Sequence, residues 1–258
     1  MLKKWIFRTA LGLGVLLAGP AAMFVARDTL SQDWRSRSNA SIGVAPTPAE
    51  HPEAIVQVWA ARTVGWRGAF GVHSWVSVKP SQAANWTSYH IIGWRARRGG
   101  DGLATYTEQP DRRWFGAEPA LLAELTGPGT DAVIGRIVKA AADYPYRNSY
   151  VIWPGPNSNT FTAHIAREVP ELRLDLPPTA IGKDFLGTTT IVGKSASGTG
   201  FQLSLWGLLG LTAAVEEGVE LNLAGLTFGL DPLGLGLKLP GIGRLGPAED
   251  PVRIADGS

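Results

Sequence analysis

The spacing of hydrophobic positions changes character several times along this chain, and each change predicts a different element. Residues 9–26 carry no charge, and Lys3, Lys4 and Arg8 precede them. A short basic start followed by an apolar stretch of this length is the layout of a membrane anchor, or of the h-region of a secretory signal. Gly12, Gly14, Gly19 and Pro20 would make it a poor core helix of a soluble protein. Pro20, lying between the small residues Gly19 and Ala21, disfavours cleavage there. Residues 1–8 therefore read as a basic tail, 9–26 as an anchor or signal segment, and the polar stretch 27–54 as a linker. Residues 55–60 and 70–79 then alternate with the period of strands. In the second, Phe70, Val72, Val76 and Val78 share one face, while His73, Trp75, Ser77 and Lys79 share the other. A third strand is predicted between Trp86 and Trp94, followed by a basic, glycine-rich loop over 95–102.

Helical spacing follows. Residues 118–125 predict a helix with Pro119 in its first turn, where proline is tolerated. Thr130 is expected to cap a second helix whose Ile134, Ile137, Val138 and Ala141 fall on one face. Asn157 is a good N-cap for a third helix reaching about Glu168. Residues 201–215 carry no charge, and from Leu226 to Gly246 leucine alternates with glycine. The stretch 201–246 reads as strands and turns that pack on the core of residues 55–200. A segment dipping into lipid is the alternative, but Glu216, Glu217 and Glu220 interrupt the apolar run before a helix could span. Residues 247–258 are expected to form a flexible tail.

Composition narrows the chemistry. The 258 residues include no cysteine, so thiolate nucleophiles, disulfides, thiolate zinc sites and iron–sulfur clusters are excluded. Lys and Arg number 24 against 22 acidic residues, for a net charge of +2. Nucleic acid is not expected as a partner: the small clusters at Arg95, Arg97, Arg98, Arg112 and Arg113 are diluted by Asp101, Glu108 and Asp111. The four histidines show no metal-ligand spacing, so neither metal nor cofactor is expected. His51 reads as a solvated linker residue, His90 as strand packing, and His164 as a helix residue facing away from Ser158.

Two places can carry chemistry. His73 projects from a central strand beside Trp75, Ser77 and Lys79. Ser158 opens the third helix behind a loop constrained by Pro154, Gly155 and Pro156, where unpaired amides and the helix dipole favour developing negative charge. A strand histidine facing that helix end would serve as general base for a serine nucleophile. Read blandly, Asn157, Ser158 and Thr160 are only caps, and no GxSxG, SxxK or GxGxxG motif strengthens the pair. The tryptophans Trp66, Trp75, Trp86, Trp94, Trp114 and Trp153 suit either a ligand groove or a core.

Three stretches carry a resemblance. They are Gly-Val-His-Ser-Trp-Val at 71–76, Trp-Pro-Gly-Pro-Asn-Ser-Asn-Thr-Phe at 153–161 and Leu-Pro-Pro-Thr-Ala-Ile-Gly-Lys-Asp at 176–184. Together with Leu208-Leu209-Gly210-Leu211 and residues 225–232, they resemble an uncharacterised bacterial membrane-protein family, domain of unknown function 3750. More distantly, the order of a histidine strand, further strands, helices and a helix opening with Asn-nucleophile is similar to permuted papain-like domains of the NlpC and lecithin retinol acyltransferase type. That likeness implies His73 as base and Ser158 at the nucleophile position, which in those enzymes is cysteine. Ser88, Ser77 and His90 are candidates for a third group.

The expected fold is therefore α+β: an antiparallel sheet with packed helices, permuted papain-like, with a glycine-rich β-like extension and one N-terminal membrane helix. The expected protein is a single-pass protein of the bacterial inner membrane with its main domain in the periplasm. It would act as a serine-dependent amidase, esterase or acyltransferase through Ser158 and His73, with Trp75, Asn157, Asn159, Trp153 and Lys79 binding. The alternative is a non-catalytic binding or structural module of the envelope. Expected partners are the membrane and an envelope peptide, sugar or lipid.

Overall fold

The computed structural model describes residues 2–26, 38–247 and 252–255. Residues 27–37 of the expected linker, with Arg27, Arg35 and Arg37, and most of the expected tail lie outside them. The architecture is α+β, with two antiparallel-built sheets and, among the described residues, four α-helices, the first of them an N-terminal apolar helix.

Helix α1 (Leu2–Ala26) includes the apolar segment and extends through the basic tail. The most apolar 18-residue window within residues 3–26 has a mean hydropathy of 1.9, and only 11% of it is covered, so the helix is long and apolar enough to cross a membrane. One of its contacts is small-residue packing. Gly19 lies against the Pro240 carbonyl and Pro20 against Gly241, where side chains would collide.

The first sheet runs in the order β13-β5-β1-β2-β3-β4. Its strands are β1 (Ile55–Arg62), β2 (Val72–Lys79), β3 (Thr87–Ile91), β4 (Leu103–Thr107), β5 (Pro119–Thr126) and β13 (Val252–Ala255). All pairings are antiparallel except β13 with β5. Helices α3 (Thr130–Ala142) and α4 (Ser158–Glu168) cover one face, where Val56, Val58, Val76 and Val78 pack with Ile137, Phe161 and Ile165. The alternation read in β2 thus decides which side chains meet the helices. The opposite face gathers Trp59, Trp75 and Trp114 under the loops around Ala45 and Phe115.

Two local expectations change. Residues 118–125 form strand β5 rather than a helix. Its alanines, leucines and Glu124 are good helix formers, but the open edge of β1 offers them a full ladder, and that tertiary pairing outweighs weak intrinsic propensity. Gly129, in the left-handed region at φ +89°, precedes α3, so Thr130 is the first helical residue and not the cap. The third strand ends at Ile91, and Gly93 opens the short helix α2 (Gly93–Arg97).

The second sheet is a seven-stranded meander in the order β12-β11-β10-β9-β8-β7-β6. It comprises β6 (Val192–Lys194), β7 (Gly200–Leu205), β8 (Leu209–Ala214), β9 (Gly218–Leu223), β10 (Leu226–Asp231), β11 (Gly236–Leu239) and β12 (Gly243–Leu245). Its buried face is polar. The Asp184 carboxylate accepts from Gln202 Nε2 at 2.7 Å, Asn222 Nδ2 at 2.7 Å and Lys183 Nζ at 3.1 Å. Lys183 also pairs with Glu220, and Lys238 binds Glu220 at 2.9 Å and Asp175 at 2.6 Å. Burial alone would lower the Lys183 pKa, but the carboxylates of Asp184 and Glu220 outweigh it and raise the pKa above its ordinary value. A buried ion network is sensitive to the loss of one member, because the others are left as unpaired charges. Lys183→Met is therefore expected to destabilise the chain by roughly 3–5 kcal/mol, read as a lowered denaturant midpoint of the full chain in micelles.

Candidate functional site

The loop before α4 closes on itself through the helix cap. Asn157 Oδ1 accepts from the backbone N–H of Asn159 at 2.9 Å and of Thr160 at 3.3 Å, and the Thr160 hydroxyl accepts from the Asn157 N–H at 3.1 Å. This reciprocal capping box fixes where α4 begins. Asn157 Nδ2 donates onward to the carbonyls of Ile152 and Ile181. Asn159 ties the helix to the sheet: its Nδ2 donates to Val72 O at 3.0 Å and to Ile181 O at 2.8 Å, and its Oδ1 accepts from Ser74 Oγ at 2.8 Å. Gly182, at φ +99°, is required where Asn157 crosses it: a Cβ there would lie 2.7 Å from Asn157 Cγ.

Beside this helix end lies an apolar cleft of about 440 Å³. Leu16 and Leu17 of α1 form one wall, Trp66, Phe70 and Trp153 the others, and Asn157, Ser158 and Asn159 line it from α4. Trp153 is half exposed, and its Nε1 donates to Ala224 O at 2.7 Å, which fixes the ring across the hairpin between β9 and β10. An adjoining cavity of about 310 Å³ is lined by His73, Trp94, Arg97 and Trp114, and both cavities share Thr63, Arg67, Tyr150 and Ile152.

Ser158 and His73 are not joined by a hydrogen bond. Ser158 opens on the first cavity and His73 on the second. His73 projects from the sheet face opposite Val72 and Val76, and α4 packs on the Val72 side. Its Nε2 lies 3.1 Å from His90 Nδ1, and His90 Nε2 lies 3.0 Å from Glu108 Oε1, which also pairs with Arg112. The chain His73–His90–Glu108 is stacked beneath Trp114, whose ring centroid is 3.8 Å from that of His73. Of the residues proposed for a third group, His90 is thus the partner of His73, while Ser77 and Ser88 bond each other at 2.7 Å.

The residue that sequence reasoning missed is Tyr150. Its phenolic oxygen faces both the N–H and the hydroxyl of Ser158, and Arg97 lies 5.9 Å from its ring centroid. Burial raises the Tyr150 pKa above its ordinary value, although Ser158 and nearby arginines work against this. The phenol is therefore protonated at neutral pH and is no base. Tyr150 stands in irregular chain with no motif around it, and only the unbroken run of three apolar residues after it hinted at burial.

The expected binding residues separate into two groups. Asn157, Asn159 and Trp153 line the cleft. Trp75 is fully buried, its Nε1 donating to Pro110 O at 2.9 Å. Lys79 is buried at the far end of β2, where its Nζ bonds the Glu53 carbonyl. Trp66, Trp94 and Trp153 are exposed and line the two cavities, whereas Trp75, Trp86 and Trp114 are core. His164 bonds Ala140 O, and among the described residues no cluster of three or more His, Asp or Glu is placed to hold a metal ion.

This fold and cleft, with an apolar helix along one wall, define an α+β domain attached to a candidate membrane span. The chain belongs to the family described as "Protein of unknown function (DUF3750)", which it matches over residues 53–185, just over half of its length. The matched span ends at Phe185, so it takes in β1 to β5 of the first sheet, α3 and α4, but neither β13 nor the meander. No curated protein and no solved structure matches the chain.

The histidine pair carries a pH signature. Burial is the largest cause holding both rings below the ordinary histidine value of 6.5, His73 well below it; Arg112 adds to this, while Glu108 pulls His90 back. Burial pushes the Glu108 carboxyl up, but hydrogen bonds from His90 and Arg112 outweigh it and hold it low. An unfolded chain therefore binds protons at these histidines where the folded chain does not. Their stabilisation is complete above the unfolded value and is lost as pH falls below it. The denaturant midpoint is expected to drop between about pH 7 and about pH 5, and to drop less in His73→Gln. An equal slope in both chains would count against a neutral buried pair.

Proposed function

We propose that this is a single-pass protein of the bacterial inner membrane, with its α+β domain on the periplasmic side, that binds an acyl-chain-bearing ligand in the cleft beside α1. The short tail with Lys3, Lys4 and Arg8 favours a cytoplasmic N-terminus. The observation that carries the binding reading is the cleft itself: about 440 Å³, walled by Leu16, Leu17, Trp66, Phe70 and Trp153, with Asn157, Ser158 and Asn159 of α4 and Thr63, Arg67 and Tyr150 as its polar groups. That is the volume and lining of a small-molecule site with a few polar groups. Each methylene taken from water contributes about 0.8 kcal/mol, so an alkyl chain gains more from such walls than a sugar or peptide does. Because a wall of the cleft belongs to the candidate membrane helix, a lipid reaches it without crossing water.

A second reading is a serine-dependent amidase, esterase or acyltransferase, as the likeness to permuted papain-like domains implies. Two observations favour it: the His73–His90–Glu108 chain has the polarity of a base with its orienting groups, and Ser158 lies at a helix N-terminus in the adjoining cavity. It requires Tyr150 to leave its place against Ser158, because Ser158 and His73 open on different cavities. A fluorophosphonate probe separates the readings. Labelling of wild type that is lost in Ser158→Ala supports catalysis; absence of labelling in both wild type and Tyr150→Phe removes it.

The binding reading is tested with the full chain in nanodiscs and a diazirine-bearing palmitoyl photoprobe. Crosslinks are expected on the peptides carrying Phe70 and Trp153, and Phe70→Gln is expected to lower them roughly tenfold, the equivalent of one buried large apolar side chain. Crosslinks confined to the exposed face of α1 and unchanged in Phe70→Gln would overturn it.

A further inference from the structure

The second sheet is built with its polar side inward. Along β7 the side chains of Gln202 and Ser204 are buried while Phe201, Leu203 and Leu205 are exposed; along β9 Glu220 and Asn222 are buried while Val219, Leu221 and Leu223 are exposed. Register turns this alternation into continuous apolar rows. Leu203, Leu211, Leu221 and Phe228 stand opposite one another across four strands. A second row runs through Phe201, Ala213, Val219, Leu230, Leu237 and Leu245 across six. Exposure is 47% at Leu203 and 45% at both Leu211 and Leu221, although they stand in the middle of the sheet. In the turn between β10 and β11, Leu233 and Leu235 project at 75% and 74%. The sheet cannot be turned over to hide these residues, because its other face is fixed by Lys183, Asp184 and Asp175.

We infer that this apolar face is a membrane-contact surface that rests on the acyl chains of a phospholipid monolayer. Three observations identify lipid as the occupant. The first is continuity with α1. Its Gly19 and Pro20 pack on Pro240 and Gly241, the turn between β11 and β12, and Leu16 and Leu17 share the cleft with Ala224 in the turn between β9 and β10. The same end of the sheet therefore abuts the helix that is long and apolar enough to span. The second is charge. Among the described strand positions on this face, the one charged side chain is Lys194, which stands opposite Phe201 on the edge strand β6. A lysine at the rim can lay its stem on apolar surface and set its ammonium among phosphates. Trp206 is likewise exposed at a hairpin end, as interfacial tryptophans are. The third is area. Seven strands about 4.8 Å apart and up to six residues long make a face of roughly 600 Å². Two such faces paired would bury only about the lower limit of the ~600–1,000 Å² per partner of a standard stable interface, whereas a monolayer needs no matching partner. The inference stands whether or not the cleft binds a ligand, because it uses none of the cleft's chemistry.

The cysteine-free chain permits a direct test. Leu211→Cys, Leu221→Cys and Leu235→Cys, with Lys139→Cys on the exposed side of α3 as reference, are labelled with an environment-sensitive fluorophore in the full chain reconstituted in phosphatidylcholine vesicles. Doxyl-labelled phosphatidylcholine is expected to quench the three sheet positions several-fold more than position 139. Equal quenching at all four positions would overturn the inference. So would absence of lipid quenching together with dipolar coupling between spin labels at 211 on two copies, which would assign the face to a second copy of the chain. The sheet positions are exposed, so their substitution leaves the buried ion network intact, and Leu235→Cys, in a turn, reports even if a strand position perturbs pairing.

Discussion

Lys183 and Asp184 stand between the two sheets, and the orientation of the last quarter of the chain follows from them. A carboxylate and an ammonium removed from water require partners on every side, and here Gln202, Glu220 and Asn222 supply them from two strands of the meander. Once those side chains point inward, the period of two in a strand sends Leu203, Leu221 and Leu223 outward. The exposed leucines are thus a consequence of a buried charge. The same segment also serves the cleft, because Ile181 and Gly182 hold Asn157 and Asn159 at the start of α4.

Legibility in the sequence tracks how local the determining interaction is. The start of α4 could be read because Asn157 and Thr160 cap it within one turn. Val72 and His73 could be assigned to opposite faces of β2 by alternation alone. Their consequence could not, since it depends on α4 packing against the Val72 side, a contact 85 and more residues distant in the chain. Strand β5 was misread because alanine and leucine favour helix, and the edge of β1 that captures them lies some 60 residues earlier. The leucine–glycine alternation in 226–246 was visible, but which side chains of the meander faced inward was not, since that is decided by Asp184. Tyr150, between the two cavities, had no local signal.

The candidate site shows how a sheet can divide one chemistry into two compartments. Ser158 has the helix end without a base, and His73 has orienting groups without a nucleophile. Tyr150 touches both cavities, and its protonated phenol against the Ser158 amide takes a place that a ligand oxygen could fill. A polar head group bound at the Asn157–Asn159 end, as the proposed function has it, would therefore compete with Tyr150 for that place.

The meander also sets an order of assembly. Every one of its pairings joins neighbours in sequence through short turns, so its contacts are local. The first sheet, by contrast, must bring Ile55 to Thr126 before β1 has both its neighbours. Loop closure makes such distant pairings slow relative to hairpins. The meander can consequently zip up faster than the first sheet, presenting a leucine surface before the domain beneath it is complete.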